Sequence, residues 1–258
     1  MDVSFIISGF GIGALIGLTG VGGGALMTPL LIFGFGIAPA VAVGTDLMFA
    51  AITKANGVRV HARLGSVDWR IVRRLLLGSL PATLLTLLVL RKTNLHTEFA
   101  QYLLTTTLGI ALIISAAALL FRRRLAQGSV AASQQMDDTG TTTHFLTVLT
   151  GVVLGVLVTL TSVGAGAVGA ALLFYLYPQM KAARVVGTDL AHAVPLASVA
   201  GFGHWQLGTV DWLLLVSLLI GSLPGIYLGS RLSARVPEVW LRGVLASLLL
   251  VIGLRLVA

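Results

Sequence analysis

Two carboxylates, Asp46 and Asp189, stand inside otherwise apolar runs, each in the same pentapeptide, Val-Gly-Thr-Asp-Leu, at 43–47 and 186–190. A charge in such a setting is expensive, and by default it marks a functional site. Two chemistries fit. Either each Asp N-caps a helix broken after Gly44 or Gly187, or one of them carries a proton with its affinity raised by burial. His192 follows Asp189 by three residues and shares its helical face, so the second segment is the better proton relay. Its counterpart in the first segment is Phe49, so that chemistry is not duplicated.

A second pair of motifs precedes the first. Leu18-Thr19-Gly20-Val21-Gly22-Gly23-Gly24 matches Leu160-Thr161-Ser162-Val163-Gly164-Ala165-Gly166. Glycine costs about 1 kcal/mol in a helix interior, so each helix is expected to break there. The breaks expose backbone N–H groups and hydroxyls, and the short helices that follow aim their positive ends at whatever sits between them. Either that makes an anion pocket without a fixed cation, or the glycines merely allow close helix packing. Lys54, eight residues beyond Asp46 and about 12 Å along a helix, either draws an anion inward or snorkels to the surface, and the snorkel is favoured.

The elements that must hold these groups are membrane helices. Of the 258 residues, 57% are apolar and 10% charged, and none is cysteine. Soluble domains carry roughly 25% charged residues, so a water-soluble globule is excluded, and a net charge of +8 on so apolar a chain does not indicate a nucleic-acid binder. Disulfides, thiolate metal sites and cysteine catalysis are excluded too. The start, MDVSFIISGF, lacks a basic n-region, so its apolar run is expected to be retained. Apolar runs fall near 3–18, 25–37, 39–56, 71–90 and 99–121, then 145–160, 166–177, 182–202, 212–230 and 239–257.

These ten runs are two sets of five. Beyond the motifs above, Leu64–Trp69 recurs as Leu207–Trp212, Gly78–Pro81 as Gly221–Pro224, and His61 as His204, all at an offset of 143. The chain is therefore a duplication, with a first transmembrane repeat over 1–121, a polar linker loop over 122–143 and a second repeat over 144–258. If each glycine break makes a hairpin that returns to its starting side, 14 of the 17 Lys and Arg fall on one side and only Arg91, Lys92 and Arg255 on the other; a single crossing gives 10 to 7. Cytoplasmic loops carry the excess of positive charge, so the hairpin reading holds. It puts the basic loops and 122–143 in the cytoplasm and both termini outside. Each repeat then makes an odd number of net crossings, so the two are upside down relative to each other. The expected fold is all-α and polytopic, two inverted-topology repeats, each a glycine-broken hairpin followed by three transmembrane helices. Secondary transporters are built this way, with substrate near the midplane.

Other features read more plainly. Gly9, Gly13 and Gly17, and Gly221, Gly225 and Gly229, are spaced four apart and serve helix packing. Asp68-Trp69 and Asp211-Trp212 are helix caps followed by interfacial tryptophans. His61 and His204 are expected in solvated loops, and Arg122–Arg124 as an orientation determinant. No Walker loop, HExxH or catalytic triad order is present, so no enzyme, cofactor, metal or catalytic residue is expected.

The glycine hairpins (LTGVGGGALMTPLL and LTSVGAGAVGAALL), the VGTDL segments and the GSLP pairs resemble the TauE/SafE family of sulfite and organosulfonate exporters over essentially the whole chain outside 122–143. The resemblance implies a bacterial inner-membrane carrier for small sulfur-containing anions such as sulfite, thiosulfate or sulfonates, driven by an ion gradient, with the proton the expected coupling ion. Many members have Ser where this chain has Asp46 and Asp189, which leaves Thr45 and Thr188 as the hydroxyl donors there. The expected substrate-binding set is Thr19, Gly20, Gly22, Gly23, Gly24 and Thr45 from the first repeat, and Thr161, Ser162, Gly164, Gly166 and Thr188 from the second. Asp46, Asp189 and His192 are the coupling or capping residues. The partners are the anion and the lipid bilayer, with a homodimer allowed and nucleic acid excluded. A passive anion channel is the alternative reading, and a membrane scaffold subunit a weaker one.

Overall fold

In lipid every backbone polar group must be satisfied within the protein, and a helix does this inside one segment. The computed structural model describes residues 3–19, 24–93, 97–132, 141–232 and 238–257, and among these residues it contains ten helices and no strand. They are α1 (Val3–Thr19), α2 (Gly24–Phe35), α3 (Pro39–Arg63), α4 (Trp69–Lys92), α5 (Glu98–Ala132), α6 (Thr141–Thr161), α7 (Ala167–Leu176), α8 (Ala182–Gln206), α9 (Trp212–Leu232) and α10 (Glu238–Val257). Each corresponds to one apolar run of the sequence. Among the described residues, five segments are long and apolar enough to cross a membrane: α4, residues 100–120 of α5, residues 142–161 of α6, α8 and α9. At 1.5 Å per residue, α2 and α7 reach only about 18 and 15 Å. A hydrocarbon core is about 30 Å thick, so neither can cross it alone.

The distribution of polarity is the reverse of a soluble bundle. On α4, Ser79 and Thr83 are fully buried, while Leu77, Leu84, Leu85 and Leu88 are exposed. Polar atoms face the helix neighbours and leucines face outward, as a bilayer requires.

Glycine decides how closely the helices approach. α1 lies along α9, and a Cβ at Gly13 would strike the Ser222 backbone, while one at Gly221 would strike the Ile6 carbonyl. α6 lies along α4 in the same way: Gly155 meets the Ser79 backbone and Gly78 the Val148 carbonyl. Gly9, Gly17, Gly225 and Gly229 also meet backbone across the α1–α9 contact, the packing role their spacing indicated. At the centre, α3 and α8 run antiparallel, with Met48 against Gly201 and Leu190 against Gly57. Val43, Leu47 and Ala51 of α3 pack there with Ala193, Leu196, Ala197 and Ala200 of α8, and Val158 and Ala165 close the cluster.

Two expectations change. α3 and α8 run without interruption through Gly44 and Gly187, so neither helix breaks there. Those glycines allow close approach instead: a Cβ at Gly44 would strike the Thr209 carbonyl, and one at Gly187 the Ser66 carbonyl. The linker read as a loop from 122 is helical to Ala132, because its Arg and Ala residues extend α5, and α6 begins at Thr141. Residues 133–140 lie outside the described residues.

Candidate functional site

The second glycine motif forms a turn between α6 and α7. Thr161 closes α6 by donating its hydroxyl to the Leu157 carbonyl (2.6 Å) and accepting from the Val163 amide (3.1 Å). Ser162 then takes φ 59°, a left-handed conformation uncommon outside glycine. Gly164 (φ 127°) and Gly166 (φ 126°) occupy backbone that side-chain-bearing residues rarely adopt. The Gly169 amide donates to the Gly164 carbonyl (2.9 Å), which starts α7. In the first motif, Thr19 ends α1 and Gly24 opens α2; Gly20, Gly22 and Gly23 lie outside the described residues.

Asp46 and Asp189 occupy the middle of α3 and α8, both buried. They do not cap their own helices, because those helices are continuous at this point. Each instead faces the start of the neighbouring short helix. Thr28 of α2 donates its hydroxyl to Asp46 Oδ2 (2.5 Å). Asp189 lies against Gly169 of α7, where a Cβ would strike Oδ1. The positive ends of the two short helices are thus met by carboxylates of the protein itself.

Lys54 is the charge the sequence reading misplaced. It does not snorkel: its side chain is 7% exposed, and Nζ donates to the Ala165 carbonyl at the tip of the second hairpin (3.1 Å). It interacts electrostatically with both Asp189 and Asp46. An ammonium eight residues from Asp46 is held inside because a hairpin tip of the other repeat supplies a carbonyl, a contact that local sequence does not encode. His192 shares a hydrogen bond with Ser79 of α4 (2.9 Å) and is fully buried. Thr28 and Ser79, which sequence reasoning did not single out, both lie within quoted motifs, ALMTPLL and GSLP.

Thr45 and Thr188 are used between the repeats. The Asp211 amide donates to Thr45 Oγ1 (3.1 Å), and the Asp68 amide donates to Thr188 Oγ1 (2.9 Å). Asp68 caps α4 as expected, accepting from the Arg70 and Ile71 amides, and its other oxygen accepts from Arg184 (2.8 Å). Asp211 caps α9 through the Leu214 amide (3.0 Å). His204 is not solvated. It is fully buried at the end of α8, bonded to Thr209 Oγ1 (2.9 Å) and the Thr159 carbonyl (3.0 Å). His61 makes the matching bond to Ser66 (2.8 Å). A polar cleft of about 660 Å³, lined by Ser66, Asp68, Gln179, Lys181 and Arg184 among others, opens at the Asp68 end. At the matching positions of the first repeat, Ala38 and Val41 replace Lys181 and Arg184.

Comparison with known proteins identifies the family. The family profile described as "Sulfite exporter TauE/SafE" matches residues 5–256. The chain is 40% identical to the "Probable membrane transporter protein YjnA" of Bacillus subtilis over the full length of both. It is 27% identical to YdhB of the same organism, covering 92% of each chain. It is also 27% identical to MJ0441 of Methanocaldococcus jannaschii, over 96% of this chain and 92% of that one. Both carry the same description. No solved structure gives a significant match. A profile match over nearly the whole chain, with a full-length relative at 40% identity, places the protein in the TauE/SafE family of sulfite exporters.

Proposed function

We propose that the chain is a secondary transporter that exports small sulfur-containing anions, sulfite, thiosulfate or organosulfonates, across the bacterial inner membrane. Residues 1–121 and 144–258 are two repeats of opposite orientation, joined by a cytoplasmic segment over 122–143, with both termini outside. The observation that carries the reading is the reciprocity of the contacts between halves. Asp68 to Thr188 is matched by Asp211 to Thr45, Gly44 against Thr209 by Gly187 against Ser66, and α1 on α9 by α6 on α4. Such reciprocity, together with the antiparallel run of α3 and α8, supports a two-fold axis in the membrane plane. Exchange of the two halves' conformations then opens a central site to either side in turn.

The anion binds at the hairpin tips. The second tip offers Thr161, Ser162, Gly164 and Gly166, the first offers Thr19, Gly20 and Gly22–Gly24, and Thr45 and Thr188 hold the helices behind them. Asp46 and Asp189 occupy the helix ends an anion would use, so a proton taken up by either carboxylate frees that end for substrate. This links anion binding to a proton gradient. The cleft lined by Lys181 and Arg184 collects anions at one end only.

The test is flux in proteoliposomes loaded with sulfite, thiosulfate or a small sulfonate, with and without an imposed pH gradient. Saturable flux driven uphill by the gradient is the expected result. Flux that only dissipates a substrate gradient without saturating makes the protein a passive channel.

A further inference from the structure

The contact between Asp46 and the second hairpin has an unmet requirement. Among the described residues, the buried side chains with full charge are Asp46, Asp189 and Lys54. A buried carboxylate is costly unless its oxygens are satisfied. Asp46 Oδ2 takes the Thr28 hydroxyl, but Oδ1 has no hydrogen-bond partner although it is fully buried. Ser162 presents its hydroxyl to the same carboxylate and also completes no hydrogen bond, at 3% exposure. Two orphaned buried oxygens therefore face one another across the two repeats.

The backbone adds to this. Ser162 directly follows the last turn of α6, the negative end of that helix, which favours a cation beside it. Its left-handed conformation, φ 59°, is one that glycine would adopt without penalty, yet the position carries a hydroxyl. The matching residue in the first hairpin is Gly20, which has none. An unwound hairpin, a helix C-terminus and a carboxylate supply oxygen ligands of the kind that hold coupling ions in transporters of broken helices.

We propose that Asp46 and Ser162 form a site for one monovalent cation, Na+ or a proton, closed by Thr28. The assignment deepens the transporter reading and rests on it for the coupling role. It gives Ser162 to the cation rather than to the anion. It also makes the site asymmetric, with Asp189 outside it. The cation satisfies the Asp46 carboxylate and the Ser162 hydroxyl together, so its departure loosens the hold of α3 on the second hairpin. The charged group acting directly on Asp46 is Lys54 of its own helix; α8 brings Asp189 and His192 to Lys54, α9 brings the Asp211 cap to Thr45, and α2 and the hairpin bring the Thr28 and Ser162 hydroxyls.

The test needs no anion. The melting temperature of the purified full chain in detergent is measured as NaCl replaces choline chloride at constant ionic strength, and again across pH in choline alone. A bound cation raises stability along a saturation curve. The variants are Ser162→Gly, which keeps the backbone and removes the hydroxyl, and Asp46→Asn. A Na+ site gives a saturable rise in wild type, with a midpoint about tenfold higher in Ser162→Gly and no rise in Asp46→Asn. A proton site gives no Na+ effect, but a pH dependence that shifts in Ser162→Gly and disappears in Asp46→Asn. The proposal is overturned if wild type responds to neither cation, or if both variants keep the wild-type response. Saturable anion flux with no cation response would overturn this site and leave the carrier standing. A cation response without anion flux would do the reverse.

Discussion

Replacing Lys54 with Met separates the buried geometry from the snorkelling expected of such a residue. Methionine keeps the volume of the side chain and removes the ammonium. The Ala165 carbonyl loses its donor, and Asp46 and Asp189 lose a favourable electrostatic interaction. Breaking a buried ion pair costs about 3–5 kcal/mol, and that range bounds the loss for these interacting buried charges. Orphaning a buried carbonyl alone costs about 1–3 kcal/mol. The terms overlap, so about 4 kcal/mol is the expected loss. For a chain of this size 1 kcal/mol moves a melting temperature by about 2–4 °C, which puts the Lys54→Met shift near 10 °C downward. Thermal unfolding of the purified protein in detergent measures it. The double variant Lys54→Met/Asp189→Asn is expected to recover about half the loss, since one carboxylate no longer needs the ammonium. A Lys54→Met shift below about 2 °C, or no recovery in the double variant, would refute the reasoning and return Lys54 to the membrane surface.

Four further outcomes are expected. Thr45→Val and Thr188→Val each leave a cross-repeat amide without its acceptor, so each costs about 1–3 kcal/mol, and equal losses in thermal unfolding would mark the two bonds as equivalent. Gly221→Leu drives a side chain into the Ile6 carbonyl and separates α1 from α9, and the readout is loss of folded, monodisperse protein on size exclusion. Arg184→Ala removes an ion pair whose arginine is 51% exposed, worth about 1 kcal/mol or less, whereas Asp68→Ala also removes the α4 cap and costs about 1 kcal/mol more. Gly164→Leu places a side chain where φ is 127°, and abolished flux with normal membrane insertion is expected; normal flux would remove the hairpin from the site.

The helices were legible because they depend on local pattern. Ten apolar runs became ten helices, and the glycines spaced by four became close contacts between α1 and α9. The caps at Asp68 and Asp211 were legible for the same reason, a polar residue just before an apolar run. What failed were inferences about where a side chain goes once distant helices meet. Gly44 and Gly187 look like breaks in isolation, but a carbonyl of the opposite repeat occupies the space a Cβ would fill. Lys54 looks like a surface residue until the Ala165 carbonyl, 111 positions away, is brought to it. His204 looks solvated until Thr159 and Thr209 enclose it. The duplication could have given the last of these, since His61 and His204 each precede a Ser or Thr by five residues.

The transport proposal requires the two halves to be inverted in the membrane, and the absence of native cysteine makes that directly measurable. Arg63 and Gln206 hold equivalent positions at the ends of α3 and α8, and both are exposed. Single variants Arg63→Cys and Gln206→Cys in intact cells would be treated with a membrane-impermeant maleimide. Labelling of Gln206→Cys from outside, with Arg63→Cys labelled only after permeabilisation, is the expected result. Labelling of both from the same side would contradict the inversion and with it the alternating exchange of the two repeats.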